Sequence, residues 1–128
     1  MRIKETTRAN MMAQESMEAV RNFRDAIPWN NPDPLNQYDG LGVVATDASY
    51  HVAKSGDTPP KWMLLQGEET IDGFTRAIEF DNVLRNASGN IVQSGGTFPD
   101  ANTRKVVVRV SWKNQKVELV NYLTNWKE

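Results

Sequence analysis

From Ile3 to Ile27 the apolar residues of this sequence recur at helical spacing, and beyond Pro34 that period gives way to short runs broken by turn residues. Ala9, Ala13, Met17, Val20 and Ile27 fall at i, i+4, i+8, i+11 and i+18, with Met12, Ala19, Phe23 and Ala26 widening the stripe. The spacing predicts one long amphipathic helix over residues 1–27. Its other face carries Arg8, Glu15, Glu18, Arg21, Arg24 and Asp25, and Arg21 stands at ion-pair spacing from both Glu18 and Asp25, which reads first as a solvated face. Pro28 cannot donate a backbone hydrogen bond and disfavours helical geometry at Ile27, so the helix is expected to end near Ala26. Asn31-Pro32-Asp33-Pro34 then makes a loop.

The later pattern is that of antiparallel sheet, over residues 35–126 with their loops. Candidate strands are Gly42–Thr46, Tyr50–Ala53, Trp62–Gln66, Gly73–Leu84, Ile91–Ser94, Lys105–Trp112 and Lys116–Leu123. In the last pair Val106, Val108, Val110 and Trp112 alternate with Val107, Arg109, Ser111 and Lys113, and Lys113-Asn114-Gln115 supplies a tight reversal. This hairpin is expected near the centre of the sheet, facing the helix. Turn-forming clusters at Ser55-Gly56-Asp57, Asn86 to Asn90 and Ser94 to Asp100 read as loops.

A chain of 128 residues supports one domain, taken as 1–128, that buries roughly two-thirds of its unfolded surface. A net charge of -1 provides no field to draw in nucleic acid. The absence of Cys removes disulfides, thiol catalysis and thiolate metal sites together. No apolar run approaches the ~18–20 residues of a membrane span. The polar opening MRIKETTRAN carries no capping or turn signal, so it reads as a helix cut from a longer one, with Met1 as an artificial start.

Little in the sequence carries chemistry. His51 is the sole histidine and lies in a short strand without a nucleophile or carboxylate at recognisable spacing, so it reads as a strand residue. Asp100, Asn102 and Thr103 offer oxygens that calcium could use, but without an EF-hand array they read as turn caps. Glu68, Glu69 and Asp72 could do acid or base work, and a hydrolase built on them is a third class of function; a solvated turn is the plainer reading. Asn86-Ala87-Ser88 matches a glycosylation triplet that a hairpin turn also explains, and Gly95-Gly96 lacks the rest of any phosphate loop. Trp29, Trp62, Trp112 and Trp126 could stack on a sugar or peptide, although core packing accounts for most of them. Arg76 shares strand parity with Phe74, Ile78 and Phe80, so it points toward the core and needs a carboxylate there, unless a bulge turns it outward.

Against this background the segment AQESMEAVRNFRDAIPW resembles the exposed half of the long first helix of bacterial pilin-like proteins, through Ala13, Glu15, Glu18, Ala19, Val20, Arg21, Asn22, Arg24, Asp25 and Trp29. IDGFTRAIEFDNVLRNASGNIVQSGG, TRKVVVRVSW and the closing VELVNYLTNW are similar to the strands and ending of prepilin-type proteins of the type IV pilus and type II secretion group. The likeness spans most of Met12 to Trp126. It implies a membrane-anchored precursor whose leader is removed by a prepilin peptidase, with an apolar half-helix at the filament centre and the head outside. The processing motif itself is missing; Gly73-Phe74-Thr75 imitates it, but Arg76 and a displaced Glu79 follow within a strand.

The resulting expectation is an α+β domain, pilin-like, with its long helix across an antiparallel sheet. As a minor pilin or pseudopilin it would be a structural subunit rather than an enzyme, partnered by other pilin or pseudopilin subunits at the bacterial cell envelope or surface. Its attachment to the inner membrane would run through a segment absent from this chain. Glu15, Glu18, Arg21 and Arg24 are the candidate subunit contacts, and no cofactor, metal, nucleic acid or small-molecule substrate is expected. The alternative is a secreted or surface module that binds a glycan or protein through loops and aromatics such as Trp29 or Trp62.

Overall fold

The structure, a computed structural model, describes residues 2–34, 37–46, 48–56, 58, 60–86, 91–92 and 98–125. Helix α1 spans Arg2–Ala26, which at 25 residues makes a rod about 37 Å long. Ala9, Ala13, Met17, Val20 and Phe23 are buried along one side, as the spacing requires, and Ser16 is buried with them. The last helical hydrogen bond runs from Ile27 N to Phe23 O at 2.9 Å, immediately before Pro28 ends the series.

Among the described residues seven strands follow: β1 Ser49–Lys54, β2 Trp62–Gln66, β3 Glu69–Ile71, β4 Phe74–Arg85, β5 Ile91–Val92, β6 Phe98–Trp112 and β7 Gln115–Thr124. Every pairing is antiparallel, and the main path runs β2-β1-β4-β6-β7, with β3 and β5 as short additions to β4. The chain is therefore α+β, with α1 laid on one face of the sheet. Phe74, Ile78 and Phe80 of β4 and Val106, Val108, Val110 and Trp112 of β6 meet the helix stripe. Tyr50 sets its ring edge-on to Phe80, with centroids 5.6 Å apart, and fastens β1 to the same core.

Both tight hairpins use two-residue turns with each central residue at positive φ, Lys113 (44°) and Asn114 (64°) in one, Asp72 (52°) and Gly73 (86°) in the other. This is the geometry whose twist matches that of the strands it joins. The second hairpin corrects the expectation of a simple turn at Glu68 to Asp72, for β3 is a short strand paired residue by residue with Phe74–Arg76.

Three further expectations need correction. Gly42–Thr46 is not a strand: Gly42 N bonds Trp29 O at 2.8 Å while Val43 N and Val44 N both turn back to Gly40 O at 2.9 and 3.2 Å, so the segment coils beneath the helix end. Hairpin β6–β7 does not lie at the sheet centre; β4 does, and β7 is an edge. Residues 98–100, read as the end of a loop, belong to β6, because an irregularity opposite Asn82 and Val83 lets Ala101 to Thr103 bulge without ending the strand. Of the strand expected at Ile91–Ser94, Ile91–Val92 is present and the remainder lies outside the described residues.

Candidate functional site

The helix face turned away from the sheet is the principal candidate surface. Met11, Glu15, Glu18 and Asn22 succeed one another there at i, i+4, i+7 and i+11. Glu18 accepts a hydrogen bond from Arg21 Nη1, and both side chains remain substantially exposed, as an ion-paired surface pair would. The other two residues expected on this surface behave differently. Glu15 Oε1 reaches toward the sheet and accepts from Arg76 Nη1 at 2.7 Å. Arg24 lies folded back, its side chain only 20% exposed, and bonds Asp25 through Nε at 3.2 Å. Met11 was not foreseen; at 64% exposure it is the most exposed large apolar residue among those described. Its signal was an apolar side chain outside the stripe.

Arg76 does point inward, as its parity with Phe74 and Ile78 demands, and it is buried. It finds not one carboxylate but two. Glu69 Oε1 accepts from Nε at 3.0 Å and from Nη2 at 2.7 Å, and Glu15 takes the remaining arm. Burial works against the charge, yet the hydrogen bonds to Glu15 and Glu69 outweigh it and hold the guanidinium above its ordinary pKa. One buried cation thus ties α1 to the β3–β4 hairpin.

The same geometry disperses the acidic group Glu68, Glu69 and Asp72. Glu69 is committed to Arg76, and Asp72 Oδ2 pairs with Arg8 Nη2 at 2.6 Å, so the hairpin carboxylates act as fasteners for the helix. Arg8 also lies over the Phe74 ring, 5.2 Å from its centroid. Near the helix start Glu5 accepts from Lys113 Nζ at 3.0 Å, and that contact lowers its pKa.

His51 sits on β1 with Nδ1 3.0 Å from the Gly67 carbonyl oxygen, a contact it makes as donor. Asp100 spends its oxygens locally, Oδ1 on Asn102 N at 2.9 Å and Oδ2 on Thr103 Oγ1 at 2.8 Å, which is the turn-capping arrangement at the β6 bulge. Among the described residues no group of His, Cys, Asp and Glu could hold a metal ion. The aromatic candidates divide. Trp29 and Trp112 are buried, and Trp29 Nε1 donates to Ala101 O at 2.8 Å, which corrects the idea of Trp29 as an exposed stacking ring. Trp62 is half-buried beneath Lys54 Nζ at 5.1 Å from its ring, while Trp126, Ala87-Ser88 and Gly95-Gly96 lie outside the described residues.

A second buried arginine, absent from the sequence reading, organises the loop after α1. Arg104 donates through Nε to Leu41 O at 2.9 Å, through Nη2 to Gly42 O at 3.0 Å and through Nη1 to Asn82 Oδ1. Burial pushes its pKa down. Gly40 and Gly42 are required where this loop crosses the helix end, since a Cβ on Gly40 would stand 2.1 Å from Pro28 O and one on Gly42 would stand 2.4 Å from the Trp29 ring. Beside them an open groove of about 580 Å³ runs between residues 24–32 and the end of β7 at Thr124 and Asn125.

Fold and surface together define a small α+β domain in which α1 serves the core with one side and offers the other to solvent. Comparison with protein-family models, curated proteins and solved structures gives no match. Among the described residues no helix is long and apolar enough to cross a membrane.

Proposed function

We propose that this chain is the head of a pilin-like filament subunit, a minor pilin or pseudopilin that acts by assembly and not by catalysis. The observation that carries the reading is the division of α1. Its buried stripe holds the sheet, and its opposite face presents exposed Met11 among the Glu18–Arg21 pair and Asn22. A helix that needed only to cover a sheet gains nothing from an exposed methionine, whereas a helix packed against neighbouring helices gains apolar contact from it. The fully buried stripe begins at Ala9, and Glu5 and Thr6 ahead of it are only half-buried, so burial thins toward the start of α1, where a continuation of the helix would emerge. Membrane attachment would come from such an apolar continuation ahead of Met1.

Glu18 and Arg21 are the lateral contacts this reading favours; Glu15 and Arg24 are engaged within the head. In the full-length parent protein, Glu18→Lys should lower filament yield while the isolated head keeps its unfolding midpoint. Unchanged yield would count against the assignment. A binding module remains the second reading, with half-buried Trp62 in place of Trp29 as its aromatic contact, and it requires the isolated head to bind a glycan or protein.

A further inference from the structure

The outer edge of β7 is long, regular and open. Its ten residues pair with β6 without a shift in register, and among the described residues nothing pairs with its other side. At the opposite end of the sheet the β2 edge is met at its middle residue, where Leu64 N donates to Gln37 O at 2.9 Å. Edge strands are ordinarily blunted by proline, bulges or several lysines. Strand β7 has neither proline nor bulge, and carries only Lys116.

The direction of its backbone groups follows from the turn. A two-residue hairpin makes Trp112 and Gln115 a hydrogen-bonded pair, so Val117, Leu119, Asn121 and Leu123 also bond inward to β6. Lys116, Glu118, Val120, Tyr122 and Thr124 therefore direct their N–H and C=O groups to the free edge. Two contacts agree with this parity: Asn125 N bonds inward to Asn102 O at 2.8 Å, while Tyr122 N is met only by the side chain of its neighbour, Asn121 Oδ1, at 2.9 Å.

We propose that this edge pairs with the same edge of a second copy of the chain, antiparallel and centred on Val120. Only that register gives each of the five outward residues another as its partner: Val120 faces Val120, Glu118 faces Tyr122 and Lys116 faces Thr124. No like charges are opposed, whereas moving the centre to Glu118 would set two carboxylates against each other. Some apolar side chains approach one another on each face. Val120, 53% exposed, and Tyr122 come together on the outer face, and half-buried Val117 meets Leu123 beside the core. The two sheets become one, with both α1 helices on the same side and running in opposite directions. A filament of uniformly directed helices has no place for that arrangement, so the pair is a state of the unassembled head, and its test stands apart from that of the filament reading.

Single-cysteine variants of the full 128-residue chain, which has no native Cys, decide the matter. Across a hydrogen-bonded antiparallel pair the Val120 Cα atoms stand about 5.5 Å apart, within the disulfide range of about 4.4–6.8 Å. The two Lys116 Cα atoms stand about 27 Å apart in the same register. Val120→Cys should cross-link under mild oxidation at least about tenfold faster than Lys116→Cys. The unaltered chain should sediment as a dimer at high concentration, and Val120→Lys should return it to monomer with an unchanged circular dichroism spectrum. Equal cross-linking of the two cysteine variants would mark indiscriminate association and overturn the proposal. A chain that stays monomeric throughout, with slow cross-linking at both positions, would overturn it too and leave the edge to an extended segment of another protein.

Discussion

Replacing Arg76 tests the join between helix and sheet. The guanidinium is buried and spends two arms on Glu69, whose side chain is 27% exposed, and one on Glu15, whose side chain is 62% exposed. In Arg76→Ala two buried methylenes are lost, at about 0.8 kcal/mol each. Glu69 keeps a half-buried carboxylate without its partner, which adds roughly 1–3 kcal/mol. Glu15 swings into water, so its share lies at the surface-pair level of about 0–1 kcal/mol. The sum is about 4 kcal/mol, within a range of about 3–6, and Arg76→Met, which restores the apolar stem, should cost about half as much. Urea unfolding at pH 7, followed by Trp fluorescence, measures both. Double-mutant cycles should then give a coupling of roughly 1–2 kcal/mol between Arg76 and Glu69 and a smaller one between Arg76 and Glu15. A cost below about 1 kcal/mol for Arg76→Ala, or a stronger coupling to Glu15 than to Glu69, would refute the reasoning.

Gly40→Ala should destabilise the head by about 2–3 kcal/mol, because its Cβ meets backbone oxygens of Pro28 and Trp29 that cannot simply rotate away. Gly56→Ala, with nothing within 4 Å of the new Cβ, should be neutral or slightly stabilising in the same urea titration. Trp29→Phe keeps the packing but forfeits the bond to Ala101 O, which should lower stability by about 1 kcal/mol on denaturant unfolding. Acid titration probes the outer face, where the hydrogen bond from Arg109 holds the Glu118 carboxyl below its ordinary 4.5. A carboxyl depressed in the folded state stabilises above its unfolded pKa and ceases to do so as pH falls through the folded value. The thermal midpoint should therefore hold on lowering pH toward 4.5 and drop below it, and Glu118→Gln should flatten that drop. An unchanged acid limb in the variant would remove Glu118 from the account.

What could be read without coordinates was local. The helical stripe from Ala9 to Phe23 and the stop at Pro28 fixed α1, since both act within a turn or two of the backbone. Alternation along Val106 to Trp112 gave the face of β6, and the parity of Arg76 with Phe74 and Ile78 gave its direction. Asp72-Gly73 carries a hairpin-turn signal, but the three residues of β3 before it are too few to display a strand period. Tertiary structure decided the partners. Arg76 meets Glu15 from 61 residues away and Arg104 meets Leu41 O from 63, and no spacing rule reaches across such separations. That is why Gly42–Thr46 coils instead of extending. Secondary structure is dictated by neighbours along the chain, whereas burial of a charge is settled by whichever distant group can satisfy it, and only the folded chain brings that group near.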